Sequence, residues 1–122
     1  MEKIYLGIPY TFNPKLSFRI ANEVAARLMK EGNTVFSPVS HSHPISMEFV
    51  ELQLDHDFWM KQDLPILSSM NRMVVVVPME HGGYNLVHNS KGLQREIKLA
   101  EDLFINIDFI EYYEKRTGGQ VQ

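Results

Sequence analysis

Met73 to Val77 reads Met-Val-Val-Val-Val, and this run limits what the chain can fold into more than any other stretch. β-Branched side chains lose freedom in a helix and pack well on a pleated surface. A strand with one wet face alternates apolar and polar residues. An unbroken apolar run instead predicts a strand covered on both faces, as in a parallel sheet between helices. Lys3 to Ile8, closed by Pro9, predicts another buried strand, and Thr34 to Ser37 a short one. Between Lys15 and Glu31 the period changes. Leu16, Ile20, Val24 and Leu28 recur every fourth residue, Lys15, Arg19, Glu23, Arg27 and Lys30 supply the polar side, and Gly32-Asn33 ends the pattern. That is an amphipathic helix with a stop signal.

The rest of the chain follows the same alternation. Ser37 to Asp57 is the least regular part, with Pro38, Pro44 and the run Ser40-His41-Ser42-His43-Pro44. Its length and its apolar residues predict a lid that folds back with a short helix. Asp57 to Met70 predicts a helix broken or restarted at Pro65. Pro78 to Asn89 reads as a loop, Ser90 to Asp102 as a helix, Phe104 to Ile107 as the last strand, Phe109 to Lys115 as a terminal helix, and Arg116 to Gln122 as a frayed polar tail. Strands alternating with helices imply parallel crossovers. The expected fold is α/β: one domain over residues 1–122, a three-layer, doubly wound parallel sheet of the flavodoxin or Rossmann type, in strand order 2-1-3-4 with room for an extra strand. Ligands of such sheets bind beyond the strand carboxyl ends where the order reverses. Here that is between the first and third strands, and the loops 9–14, 37–48 and 78–90 converge there.

Composition narrows the function classes. The 122 residues carry a formal charge of −3, which leaves no footprint for nucleic acid or an anionic membrane. There is no Cys, so disulfide and thiolate chemistry are excluded, and the expected location is cytoplasmic. No leader and no apolar stretch near the ~20 residues of a membrane span is visible. His41 and His43, and the knot Asp55-His56-Asp57, lack zinc spacing, so no metal is expected. With no GxGxxG, Walker A or Gly-x-Ser-x-Gly sequence, no cofactor is expected either.

Four constellations can bear chemistry. In Ser90-Lys91-Gly92-Leu93-Gln94-Arg95-Glu96, Ser90 suits an N-cap and Gly92 lets a ligand approach the open N–H groups of a helix start. Glu96 lies just over one turn further on, where the helix N-terminus should favour its anion. The same residues also read as a capped helix with an exposed Glu. Trp59 and Asp63 stand four apart on one helical face, so an aromatic wall would desolvate a carboxyl and suit it to general-acid work. Asp63 also reads as an N-cap for a turn at Pro65. His41 and His43 would line or fix the lid near the mouth of a site. In Tyr5-Leu6-Gly7-Ile8-Pro9-Tyr10, Gly7 would admit a ligand to the backbone, and Tyr5 or Tyr10 could hydrogen-bond a substrate or a carboxylate. An ordinary buried strand with a core Tyr accounts for the same residues.

Together these stretches resemble the nucleoside 2-deoxyribosyltransferase-like superfamily, and within it a small bacterial and phage branch similar to the deoxynucleoside 5′-monophosphate N-glycosidases. The resemblance rests on Ile4 to Tyr10, Val35 to Pro44, Trp59 with Asp63-Leu64-Pro65, and Ser90-x-Gly92-x-x-x-Glu96, over about the first hundred residues. It implies that Glu96 attacks the anomeric carbon of a nucleotide or nucleoside, that Asp63 helps protonate the departing base, that Tyr5 positions Glu96, and that Ser90 contacts a 5′-phosphate. The expected substrate site takes in Gly7, Pro9, Tyr10, His41, His43, Trp59, Ser90 and Gly92. The long loop at Met79 to Asn89 and the His-Ser-His-Pro segment depart from the characterised enzymes of that superfamily. A branch that binds nucleotides without cleaving them fits the same residues. A homo-oligomer, most simply a dimer, is expected because small doubly wound domains leave apolar helix faces uncovered. Phe49, Phe58 and Trp59 lie in segments able to supply such a face.

Overall fold

The computed structural model describes residues 1–114. Four parallel strands form one sheet in the order β2-β1-β3-β4: β1 Lys3–Gly7, β2 Thr34–Phe36, β3 Arg72–Pro78 and β4 Asn106–Tyr112. Register is set by the pairs Tyr5 with Phe36, Leu6 with Val74, and Val75 with Phe109. Helix α1 (Pro14–Lys30) joins β1 to β2. Helices α2 (Pro38–Glu48) and α3 (His56–Leu67) lie between β2 and β3, and α4 (Gly83–Asn89) and α5 (Lys91–Asp102) between β3 and β4. No helix among the described residues is long and apolar enough to cross a membrane.

The alternating faces of β1 and β3 divide the core in two. Leu6, Val74 and Val76 pack with Leu16, Ile20 and Val24 of α1, while Tyr5, Met73, Val75 and Val77 pack with Leu67, Leu93 and Ile97. The Met-Val-Val-Val-Val run is therefore buried on both faces, as its composition requires. Gly7 serves this packing. A Cβ there would come within 2.7 Å of Leu93 Cδ1 and 2.8 Å of Met73 Cε. The missing side chain thus lets α5 sit close on β1.

Five expectations about local structure are corrected. Ser37 to Asp57 is mostly helical: Ser37 Oγ accepts from Ser40 N at 3.3 Å, Pro38 occupies the first turn, where its missing N–H costs nothing, and α2 continues through Pro44 to Glu48. Pro65 likewise neither breaks nor restarts α3, which runs on to Leu67. The cap of that helix is Asp55, accepting from Phe58 N at 3.1 Å, and not Asp63 for a later turn. Pro78 to Asn89 contains the one-turn 3₁₀ segment Met79–His81 and then α4, with Gly82 at φ +119° between them. Phe109 to Tyr112 belongs to β4 rather than to a terminal helix, because its pairing with Val75–Pro78 of β3 outweighs local preference. The sheet has four strands and no extra one among the described residues. The expected tail, 116–122, lies outside them.

Candidate functional site

Beyond the carboxyl end of β1 a cavity of about 350 Å³ opens between α2, α3 and α5. That is within the usual range for a small-molecule site. Each wall follows from an element. The β1 exit supplies Ile8 and Tyr10, one face of α2 supplies Val39, Ser42 and Ser46, α3 supplies His56, Trp59, Met60 and Asp63, and the start of α5 supplies Ser90 through Leu93 and then Glu96.

The floor holds the chemistry. Asp63 and Glu96 are 3% and 6% exposed, so two carboxyl groups are buried at one cavity. Tyr5, wholly buried on β1, donates its hydroxyl to Glu96 Oε2. Asp63 Oδ1 is buried with no hydrogen-bond partner among the described residues. Leaving a buried carboxyl oxygen unpaired is costly, and such groups need an explanation. Burial pushes Glu96 up to about 8, the Tyr5 hydrogen bond pulls against that rise, and the nearby Asp63 charge adds to it. Burial pushes Asp63 up to about 6, with His41 pulling it down. The Tyr5 phenol is driven far above its ordinary value by burial, then by the charge and hydrogen bond of Glu96, then by Asp63. It stays a donor throughout the physiological range.

The pair consequently holds one proton between about pH 6 and about pH 8. Burial raises Glu96 further than Asp63, so Glu96 is the harder of the two to ionise. This corrects the expectation that the start of α5 keeps Glu96 ionised: desolvation inside the fold outweighs a partial helix charge one turn away.

The start of α5 is open on the cavity side. Ser90 stands at the N-cap position but makes no side-chain cap hydrogen bond, so its hydroxyl is left over. The first intrahelical bond is Gln94 N to Ser90 O, at 2.9 Å, which leaves the N–H groups of Lys91, Gly92 and Leu93 ahead of it. A Cβ on Gly92 would meet only His56 Nδ1 and Met60 Cε, both at 3.9 Å, so glycine is not required by the fold there. Trp59 is fixed by its indole N–H, which donates to Leu52 O at 2.8 Å and ties the 3₁₀ turn Val50–Leu52 to α3.

Of the residues singled out in the sequence, Tyr10, Trp59, Asp63, Ser90, Gly92 and Glu96 line the cavity, and Tyr5 reaches it through Glu96. Gly7 and Pro9 do not line it. Gly7 packs under α5, and the Pro9 carbonyl accepts from Ser17 Oγ at 2.8 Å. His41 is exposed beside Phe36 on the outer side of α2. His43 is buried behind Tyr10. The sequence reading missed Ser42 and Ser46, which lie four apart on the cavity face of α2, and also Asn89 and Lys91, while His56, read there as part of a polar knot at the lid, lines the cavity. The four-residue spacing of Ser42 and Ser46 was the available signal, hidden because Pro38 and Pro44 argued against a helix.

No curated protein matches the sequence. The model of a family described as a domain of unknown function, DUF1937, matches residues 2–107, and a chain matched over so much of its length belongs to that family.

Proposed function

We propose that this protein is an N-glycosidase or N-glycosyl transferase acting on a nucleotide or nucleoside, with a 5′-monophosphate as the best-fitting substrate. The observation that carries the reading is the pair of buried carboxyls, Asp63 and Glu96, at one cavity, with Tyr5 bound to Glu96 and one Asp63 oxygen left without a partner. In this mechanism the Glu96 carboxylate attacks the anomeric carbon as the N-glycosidic bond breaks, and Asp63 delivers a proton to the departing base. The glycosyl–Glu96 ester is then opened by water, giving hydrolysis, or by a second base, giving transfer. The one proton that the pair shares passes from Glu96 to Asp63 in the substrate complex, which leaves Glu96 as the anionic nucleophile and gives Asp63 the proton that goes to the departing base. Ser90 and the open N–H groups of α5 suit an anionic end such as a 5′-phosphate. The protein would work in the cytoplasm as a homo-oligomer, most simply a dimer.

A non-catalytic nucleotide-binding or sequestering role is the second reading. It is favoured by Glu96 holding its proton up to about 8, which leaves little free nucleophile at neutral pH. Incubation with nucleosides and 5′-monophosphates separates the two: free base in solution supports the enzyme, and binding without free base supports the second reading.

A further inference from the structure

The glycosidic reading assigns no task to His-Ser-His-Pro. In α2 its two histidines part company: His41 lies exposed on the outer side, whereas His43 is 9% exposed. The His43 ring packs against Phe18, with centroids 4.6 Å apart, and meets Tyr10 edge-on at 5.7 Å. Its Nδ1 lies 2.6 Å from the Tyr10 hydroxyl. Ser46 Oγ donates to the His43 carbonyl at 2.9 Å and holds this turn of the helix. Tyr10 lines the cavity and His43 does not.

Burial lowers the His43 pKa and keeps the ring neutral, so it has one nitrogen to accept with and one to donate from. The Tyr10 phenol is also partly buried, which raises its pKa against the opposing pull of a hydrogen bond with Ser46 and keeps its proton in place. We infer that His43 is a positioning residue: its Nδ1 accepts the Tyr10 hydroxyl proton, and the Tyr10 oxygen, its one proton thus committed, faces the cavity as a hydrogen-bond acceptor. Tyr10 then selects a ligand that brings a donor to that wall, and the occupant assigned is a base N–H. This inference rests on the nucleotide reading. It adds to that reading a cause of base preference and a purpose for the buried histidine.

The test measures dissociation constants for pairs of nucleoside 5′-monophosphates that differ only by an exocyclic amino group, and for pairs that differ only by a sugar hydroxyl. The proteins are wild type, Tyr10→Phe, His43→Phe, the double variant, and His43→Asn, whose side-chain oxygen restores an acceptor near Nδ1. Tyr10→Phe, His43→Phe and the double variant should each lose the preference for the amino-bearing base to the same extent, about fivefold to twentyfold for one hydrogen bond. His43→Asn should recover most of it. Nitrogen NMR of wild type should show Nδ1 unprotonated. The inference is overturned if Nδ1 carries the proton, if the two single effects multiply in the double variant, if only the sugar-hydroxyl pairs respond, or if His43→Phe lowers the unfolding midpoint while leaving base preference intact. If wild type binds no 5′-monophosphate, the nucleotide reading fails and this inference falls with it. If all five proteins bind with equal preference, this inference alone fails.

Discussion

Replacing Glu96 with Gln should make the protein more stable than wild type in alkaline solution and leave it nearly unchanged in acid. Glu96 is buried and keeps its proton from the ordinary 4.5 up to about 8. In the unfolded chain it ionises near the ordinary value. Between these limits the folded state binds more protons than the unfolded state, so stability falls as pH rises. The contribution is fully present below about 4.5 and gone above about 8. Across the whole interval it amounts to ~5 kcal/mol at about 1.4 kcal/mol per pH unit. Asp63 adds a slope of the same sign, but it is spent by about 6. The window from pH 6 to pH 8 therefore isolates Glu96, where wild type should lose ~3 kcal/mol relative to the variant. His43, whose pKa is lowered by burial, titrates in both proteins and cancels in the difference. Gln keeps an oxygen for the Tyr5 hydroxyl, so the fold should survive. Urea unfolding of both proteins at half-unit steps, with unchanged m-values, gives the difference curve. Parallel curves from pH 6 to pH 8 would show that Glu96 is ionised in the folded state, and the single-proton account of the pair would be wrong.

Four further outcomes are expected. Tyr5→Phe removes the hydrogen bond that pulls Glu96 down, so carbon NMR should find the Glu96 carboxyl titrating at higher pH than in wild type, and an unchanged or lower value would contradict the assignment. Gly92→Ala places a methyl in ordinary van der Waals contact with His56 and Met60 at the start of α5; it should stabilise the fold by about 0.5–1 kcal/mol in urea unfolding yet weaken 5′-monophosphate binding by calorimetry, and unimpaired binding would remove this helix start from the site. Asp63→Asn should slow release of poor leaving bases most and activated ones least in steady-state assays, as for a lost general acid. Light scattering at ~100 μM should find an oligomer, since Phe49, Val50 and Leu54 are exposed between α2 and α3, and a monomer there would refute it.

The fold was legible where one period dominated. The unbroken apolar run of β3 and the four-residue repeat of α1 each admit one structure, and alternation of strands and helices then fixes a parallel sheet. What escaped depended on partners distant in sequence. Phe109 to Tyr112 pairs with β3, a contact no local pattern records. Pro38, Pro44 and Pro65 argued for breaks, yet one sits in a first turn and two are carried by helices whose remaining bonds and packing suffice. The site was readable in part for the same reason. Ser90, Gly92 and Glu96 lie on one helix, and Trp59 and Asp63 on another, so spacing alone grouped them. The bond from Tyr5 to Glu96 and the bond from Tyr10 to His43 join residues 91 and 33 positions apart, and only the closed sheet brings them together. Nor could spacing report that Glu96 is desolvated, which reverses the charge expected from its helix position.

The central claim is N-glycosidic cleavage through Glu96, and chromatography of free base tests it most directly. Wild type and Glu96→Gln are incubated with the same panel of nucleosides and 5′-monophosphates, with binding of each confirmed in parallel. The account predicts that wild type releases free base from at least one 5′-monophosphate. It also predicts that Glu96→Gln binds that nucleotide with similar affinity while releasing base slower by several orders of magnitude. Equal release by both proteins would remove Glu96 as the nucleophile, and binding without release by wild type would make this a nucleotide-binding protein.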